Sequence, residues 1–167
     1  WHQGESDSFN GNYKVYYEKL LVIIETLRKE LNTPDIPLII GGLPDFLGKE
    51  GFGKNCTEYA LVNKELEKFA FEQDNCYFVT AVGLTSNPDG IHIDAVSQRK
   101  FGLRYFEAFS KKQHILEQLI NENELLELSY SRTYTRTEKM YINSMDFALG
   151  KISYDEFMAQ VMKINND

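Results

Sequence analysis

Cysteine is scarce in this chain: Cys56 and Cys76 are the only two in 167 residues, with no framework spacing and no Cys-x-x-Cys. That excludes a disulfide-stapled scaffold and a cysteine-built zinc frame, and it favours a reducing, cytoplasmic compartment over a secreted one. Long apolar runs are missing too. The longest, Leu20 to Ile24 and Ile36 to Leu43, fall far short of the roughly 20 residues needed to span a bilayer, so no membrane partner is expected. Basic charge is in deficit, with 18 Lys and Arg against 25 Asp and Glu and a formal net charge of −7. A nucleic-acid surface is thereby disfavoured, as is adhesion to anionic lipid, whereas a neutral sugar or small molecule fits. Asn55-Cys56-Thr57 matches a glycosylation sequon, a triplet that chance often produces.

What is present is core material. At 43% hydrophobic and 13% aromatic, the chain can bury the interior of one globular domain. Apolar residues at Tyr13, Tyr16, Leu20, Ile23, Ile24, Leu27 and Leu31 recur every three or four positions, which predicts an amphipathic helix ending near Asn32. Ile36 to Ile40 is a short β-branched run closed by Gly41-Gly42, the pattern of a strand buried on both faces. Pro44 to Lys54, with Gly48, Gly51 and Gly53, reads as a long flexible loop at that strand's carboxyl end. Tyr59, Val62, Leu66, Phe69 and Ala70 mark a second helix, and Cys76 to Val82 a second strand. Asp94 suits the N-cap of a third helix that buries Phe101, Tyr105, Phe106 and Phe109.

Helix, strand, loop, helix, strand, loop, helix is the alternation of a parallel sheet with right-handed crossovers, so the loops that follow the strands should share one edge. Two strands are too few for an independent doubly wound sheet, and further strands are expected upstream of Trp1. Residues 1–112 form the α/β part. Residues 113–167 read as a helical extension, in which Gly150 stops one helix and Ser153 with Glu156 caps the next, stapled by Ile152 and Phe157. An echo of a calcium loop around Gly150 fails, because Met145, Phe147 and Leu149 stand where oxygen ligands are required. Exposed strand edges and tail helices would suit a homo-oligomer.

Two loops carry chemistry. In Asp89-Gly90-Ile91-His92 the carboxylate can fold back onto one imidazole nitrogen, fixing the tautomer and leaving the other nitrogen to take a proton. A purely local role for such a pair, satisfying backbone groups, is the competing reading. In Trp1-His2-Gln3-Gly4-Glu5 an amide donor and a carboxylate flank a glycine that permits close backbone approach. A side-chain amide of this kind can donate to a developing oxyanion. Alternatively, Ser6 or Asp7 simply caps the first helix. His2, Glu5, Asp7, Asp89, His92 and Asp94 could each ligate a metal, but no spacing matches a metal motif, and none is expected.

His2-Gln3-Gly4-Glu5 and Asp89-Gly90-Ile91-His92 resemble two signature blocks of the sialate O-acetylesterase and acetylxylan esterase family of carbohydrate esterases, a branch of the SGNH hydrolases. Ser97 to Tyr105 is similar to the helix that follows the histidine there, and the resemblance runs from Trp1 to about Phe109. It implies a flavodoxin-like three-layer α/β/α sandwich that removes acetyl groups from sugar hydroxyls through an acyl-enzyme, with no metal or organic cofactor and an acetylated carbohydrate as partner. It implies His92 as general base and acid, Asp89 or Glu5 as the group that orients it, and Gln3 and Gly4 at or beside the oxyanion site. The family's nucleophilic serine lies in an amino-terminal Gly-Gln-Ser-type block that this sequence lacks. Ser6, Ser8, Ser86 and Ser97 occupy no strand-to-helix turn of the required kind. The expectation is an esterase whose nucleophile lies upstream of Trp1; the alternative is a non-catalytic carbohydrate-binding or interaction module that has lost it.

Overall fold

The computed structural model describes residues 1–166, and these divide into two compact units, the first ending at Leu126 and the second beginning at Glu127. Asp167 lies outside the described residues.

The first unit is mixed α/β. Strand β1 (Leu38–Gly41) and strand β2 (Cys76–Val79) run parallel, Leu38 opposite Cys76 and Gly41 opposite Val79. Each flank carries one more parallel contact. The Trp1 nitrogen donates to the Ile39 carbonyl and the Gly41 N–H to the Trp1 carbonyl, while Ile115 bridges Val79 on the other side. Loops that leave Trp1, β1 and β2 therefore emerge at one edge, which is the convergence the alternation predicts.

Helices α1 (Tyr16–Glu30) and α2 (Tyr59–Glu72) bury Tyr16, Leu20, Ile24, Val62, Leu66 and Phe69 in one cluster with Ile40, Cys76 and Phe78. Helix α3 (Ala95–Lys111) buries Phe101 and Ala108 in a second cluster with Val79, and Ile39 and Tyr77 pack against it. Alternate strand residues thus reach different clusters, the period-two consequence of a sheet covered on both faces.

Several sequence expectations need correction. A short 3-10 turn, Asn12–Val15, precedes α1, and the helix begins three residues later than Tyr13. Ile23, Leu27 and Leu31 lie on its open side, because the buried row is Tyr16, Leu20 and Ile24, flanked by the half-buried Tyr17 and Leu21. In α3 the buried row is Ser97, Phe101, Arg104 and Ala108, which turns Phe106 and Phe109 outward, 68% and 57% exposed. Strand β2 stops at Val79 because the next carbonyls turn away: the Arg104 guanidinium takes those of Thr80 (2.8 Å) and Val82 (3.0 Å).

That guanidinium has 0% exposure and also makes a two-pronged ion pair with Glu122, through Nε to Oε1 (2.6 Å) and Nη2 to Oε2 (3.0 Å). Glu122 opens helix α4 (Glu122–Ser131), so the loop at the exit of β2 is tied to the chain beyond α3.

The second unit contains helices α5 (Arg136–Ala148) and α6 (Tyr154–Asn166), which pack on each other through Phe147 stacked on Phe157, ring centroids 5.0 Å apart. Thr135 and Glu138 form a capping box at α5. Gly150, at φ 68°, ends that stretch, and the Ser153 and Glu156 side chains exchange hydrogen bonds with each other's backbone at α6. No helix among the described residues is long and apolar enough to cross a membrane.

Candidate active site

The segment after β2 folds back on itself. Ser86 bridges Ile93 in antiparallel fashion, the Asn87 N–H donates to the His92 carbonyl (2.8 Å), and Gly90, at φ 71°, closes a turn onto the Asn87 carbonyl (3.0 Å). At the tip, the two oxygens of Asp89 divide their work. Oδ1 accepts the backbone N–H groups of Ile91 and His92, both at 3.0 Å, while Oδ2 meets His92 Nδ1 at 2.7 Å. The Ile91 N–H, then the imidazole, then the His92 N–H hold the Asp89 carboxyl down to about 2. A carboxylate on Nδ1 selects the tautomer that carries its proton there, which leaves Nε2 with a free lone pair. Nε2 makes no hydrogen bond among the described residues, and the ring is 73% exposed.

The base of the loop is locked separately. Asp94 caps α3 by accepting from Ser97 N (2.8 Å) and also accepts from the Thr85 hydroxyl, while Thr85 N donates to Ser97 Oγ (2.9 Å). Asp94 thus serves as the N-cap its position predicts.

The Gln3–Glu5 turn is shaped by glycine. At Gly4 φ is 152°, and a Cβ would come within 2.8 Å of Val62 Cγ1 and 3.1 Å of Leu43 Cδ1. Its carbonyl accepts from the buried Ser8 hydroxyl at 2.7 Å, and its N–H donates to Glu5 Oε2 at 3.1 Å. Gln3 is held at three points: Nε2 donates to Asp7 Oδ2 (3.0 Å), and Oε1 and the main-chain carbonyl accept from the Tyr16 hydroxyl (3.2 and 2.6 Å). Burial pushes that Tyr16 phenol up to about 12. The helix-cap reading for Ser6 and Asp7 is corrected, since residues 5–7 form their own short 3-10 turn with no side-chain cap and the Asp7 carboxylate is taken by the Gln3 amide.

Glu5 and His92 line one cleft of about 340 Å³ with His2, Phe101 and Tyr105. The two motif loops are therefore brought together. It is Asp89 that touches the imidazole, and no hydrogen bond joins Glu5 to it among the described residues. Gln3 and Gly4 stand behind this wall, within the turn that presents Glu5. His2 keeps an open side but packs edge-on against Phe101 at 5.2 Å, and this desolvation holds its imidazole below the ordinary 6.5. Among the described residues no serine lines the cleft, and no three His, Cys, Asp or Glu side chains come together as a metal site.

Three glycines supply a support that the sequence did not announce. A Cβ on Gly51 would collide with the Asp89 carbonyl, one on Gly53 with that of Gly90, and one on Gly90 would lie 2.6 Å from the Glu50 carbonyl. The Phe52 N–H donates to the Asp89 carbonyl at 2.8 Å. What reads in sequence as a flexible loop instead contains a 3-10 turn, Gly51–Asn55, pressed backbone to backbone against the Asp–His turn.

An Asp–His pair on a loop at the carboxyl edge of a parallel sheet is the layout by which α/β hydrolases carry their proton-transfer groups. The family model for carbohydrate esterases, sialic acid-specific acetylesterase, matches residues 1–111, and the chain belongs to that family. A protein of Arabidopsis thaliana, solved by X-ray diffraction at 1.6 Å, is similar in structure with a TM-score of 0.56 and 25% sequence identity. The likeness covers 66% of this chain and 42% of that one. No curated protein matches.

Proposed function

We propose that this chain carries the acid–base half of a carbohydrate O-acetylesterase that works through a Ser–His–Asp acyl-enzyme, the serine coming from polypeptide upstream of Trp1 in a flavodoxin-like sandwich of the SGNH type. The observation that carries the reading is the Asp89–His92 contact of 2.7 Å beside the cleft that Glu5 also lines. In this scheme the serine hydroxyl attacks the acetyl carbonyl as His92 Nε2 takes its proton. The C–O bond to the sugar then breaks, and His92 returns that proton to the sugar oxygen. Water repeats the sequence on the acyl-enzyme, acetate leaves, and the serine regains its proton. Asp89 orients the imidazole and stabilises its cation, while Glu5, Gln3 and Gly4 shape the facing wall beside the oxyanion.

A non-catalytic carbohydrate-binding module is the second reading, favoured by the lack of a serine in the His92 cleft. Acetate release by the full-length protein from acetylated sugars separates the two. Under the esterase reading His92→Ala abolishes release at unchanged unfolding temperature, and undiminished turnover in that variant refutes it.

A further inference from the structure

Next to the His92 cleft lies a larger one, about 580 Å³, which shares Glu5 and Ile91 with it and is otherwise lined by groups such as Phe9, Asn10, Phe52 and Asn55. The two differ in kind. Around His92 the wall is mostly apolar, with Ile93, Phe101 and Tyr105, which suits a small acyl group. The neighbour combines side-chain amides, Lys54 and the Thr57 hydroxyl with two phenyl rings. Hydroxyls on the rim of a pyranose need such donors and acceptors, and its C–H face needs a flat apolar partner.

Phe52 meets that need. Its side chain is 80% exposed, and it lines both this cleft and a second one that Pro88 and Asp89 also line. A single exposed phenylalanine would ordinarily need no explanation. This one is fixed in register with the Asp–His turn, because its own N–H is bound to the Asp89 carbonyl at 2.8 Å and the glycines on either side permit that approach. The Phe52 backbone is thereby anchored to the same turn that carries His92.

We propose that the cleft walled by Gly51–Asn55 is the subsite for the sugar ring of the ester, with Phe52 as its stacking platform; the assignment rests on the esterase reading above. The test compares full-length protein with its Phe52→Ala variant, which should fold normally because the ring is so exposed. Turnover is measured on para-nitrophenyl acetate and on whichever of acetylated methyl xyloside and acetylated methyl sialoside reacts faster. The ratio of kcat/KM for the sugar ester to that for the aryl ester should fall about tenfold in the variant, and Phe52→Tyr should restore it. An unchanged ratio overturns the proposal. Should neither ester turn over, the esterase reading fails, and saturation-transfer NMR with the same two methyl glycosides, unacetylated, still decides the subsite. Saturation transfer that Phe52→Ala abolishes supports it, and equal or absent transfer in both proteins overturns it.

Discussion

Replacing Arg104 by methionine should be among the most damaging single changes in the first unit. The side chain is fully buried and makes four hydrogen bonds, two to the Glu122 carboxylate and two to the carbonyls of Thr80 and Val82. Methionine keeps most of the stem's volume, so the cost comes from groups left without partners. Summing one penalty per orphaned group would overshoot, since the four share one guanidinium and are not additive. Breaking a buried pair by removing one partner costs about 3–5 kcal/mol. At about 3 °C per kcal/mol for a chain of this size, the unfolding midpoint should drop by about 10 °C.

The double variant Arg104→Met/Glu122→Leu provides the control. With the carboxylate removed as well, the largest orphan disappears, and the double variant should be more stable than Arg104→Met alone. Thermal and urea unfolding followed by far-ultraviolet circular dichroism measures both. A loss below about 1 kcal/mol for Arg104→Met, or losses that simply add in the double variant, would refute the reasoning.

Other outcomes follow from the dyad and its supports. Asp89→Asn removes the charge that selects the His92 tautomer, so under the proposed esterase reading kcat should fall by about 10²–10⁴ with KM little changed, and a loss below tenfold would mean that Glu5 or another group orients the imidazole. Because the folded Asp89 carboxyl lies well below its ordinary 3.8, its contribution is present above 3.8 and is lost as pH falls through about 2. A carboxyl-carbon NMR titration with its midpoint at or above 3.8 contradicts the hydrogen bonds described. Gly53→Ala forces backbone apart from backbone and should cost about 1–3 kcal/mol, together with a drop in kcat that tracks displacement of the Asp–His turn; normal kcat in that variant would show the clamp to be dispensable. His114 accepts the Phe78 N–H on Nδ1 and stacks on Phe71, and desolvation lowers its imidazole below 6.5. The sign is that of a depressed base: its support of β2 is complete above 6.5 and is lost as pH falls through the lowered value. Stability of His114→Gln that declines with acid as steeply as the parent's would refute this.

Local chemistry was legible in the sequence, as was the convergence of the two motif loops, but the long-range pairing of individual side chains was not. Asp89 reaches His92 across three residues, Asp94 reaches the Ser97 N–H, and Ser153 reaches Glu156, all within a span that residue type and spacing specify. Helix and strand identities followed from periodicity for the same reason. Boundaries slipped where a long-range partner decided them, as Arg104 does at the end of β2. Arg104 itself had a readable signal, since it falls in the row Ser97, Phe101, Arg104, Ala108. A cation at a buried helical position requires a buried anion, but nothing in the spacing nominates Glu122. The outward turn of Phe106 and Phe109 follows from that same row.

The glycines of residues 48–53 show why a loop's composition misleads. Glycine in a loop suggests freedom, because an unfolded glycine has more conformations than any other residue. Here two of them are required for the opposite reason, as only a residue without a Cβ lets the main chain at 51 and 53 lie against that at 89 and 90. The entropy lost in ordering them is offset by a contact that fixes the Asp89 carbonyl through the Phe52 N–H while the Asp89 carboxylate fixes the imidazole. Each end of Asp89 is thus held by a different segment, and the position of His92 Nε2 depends on both. A substitution at Gly53, which lies outside the Asp–His turn, should therefore act on the imidazole through the backbone that positions it.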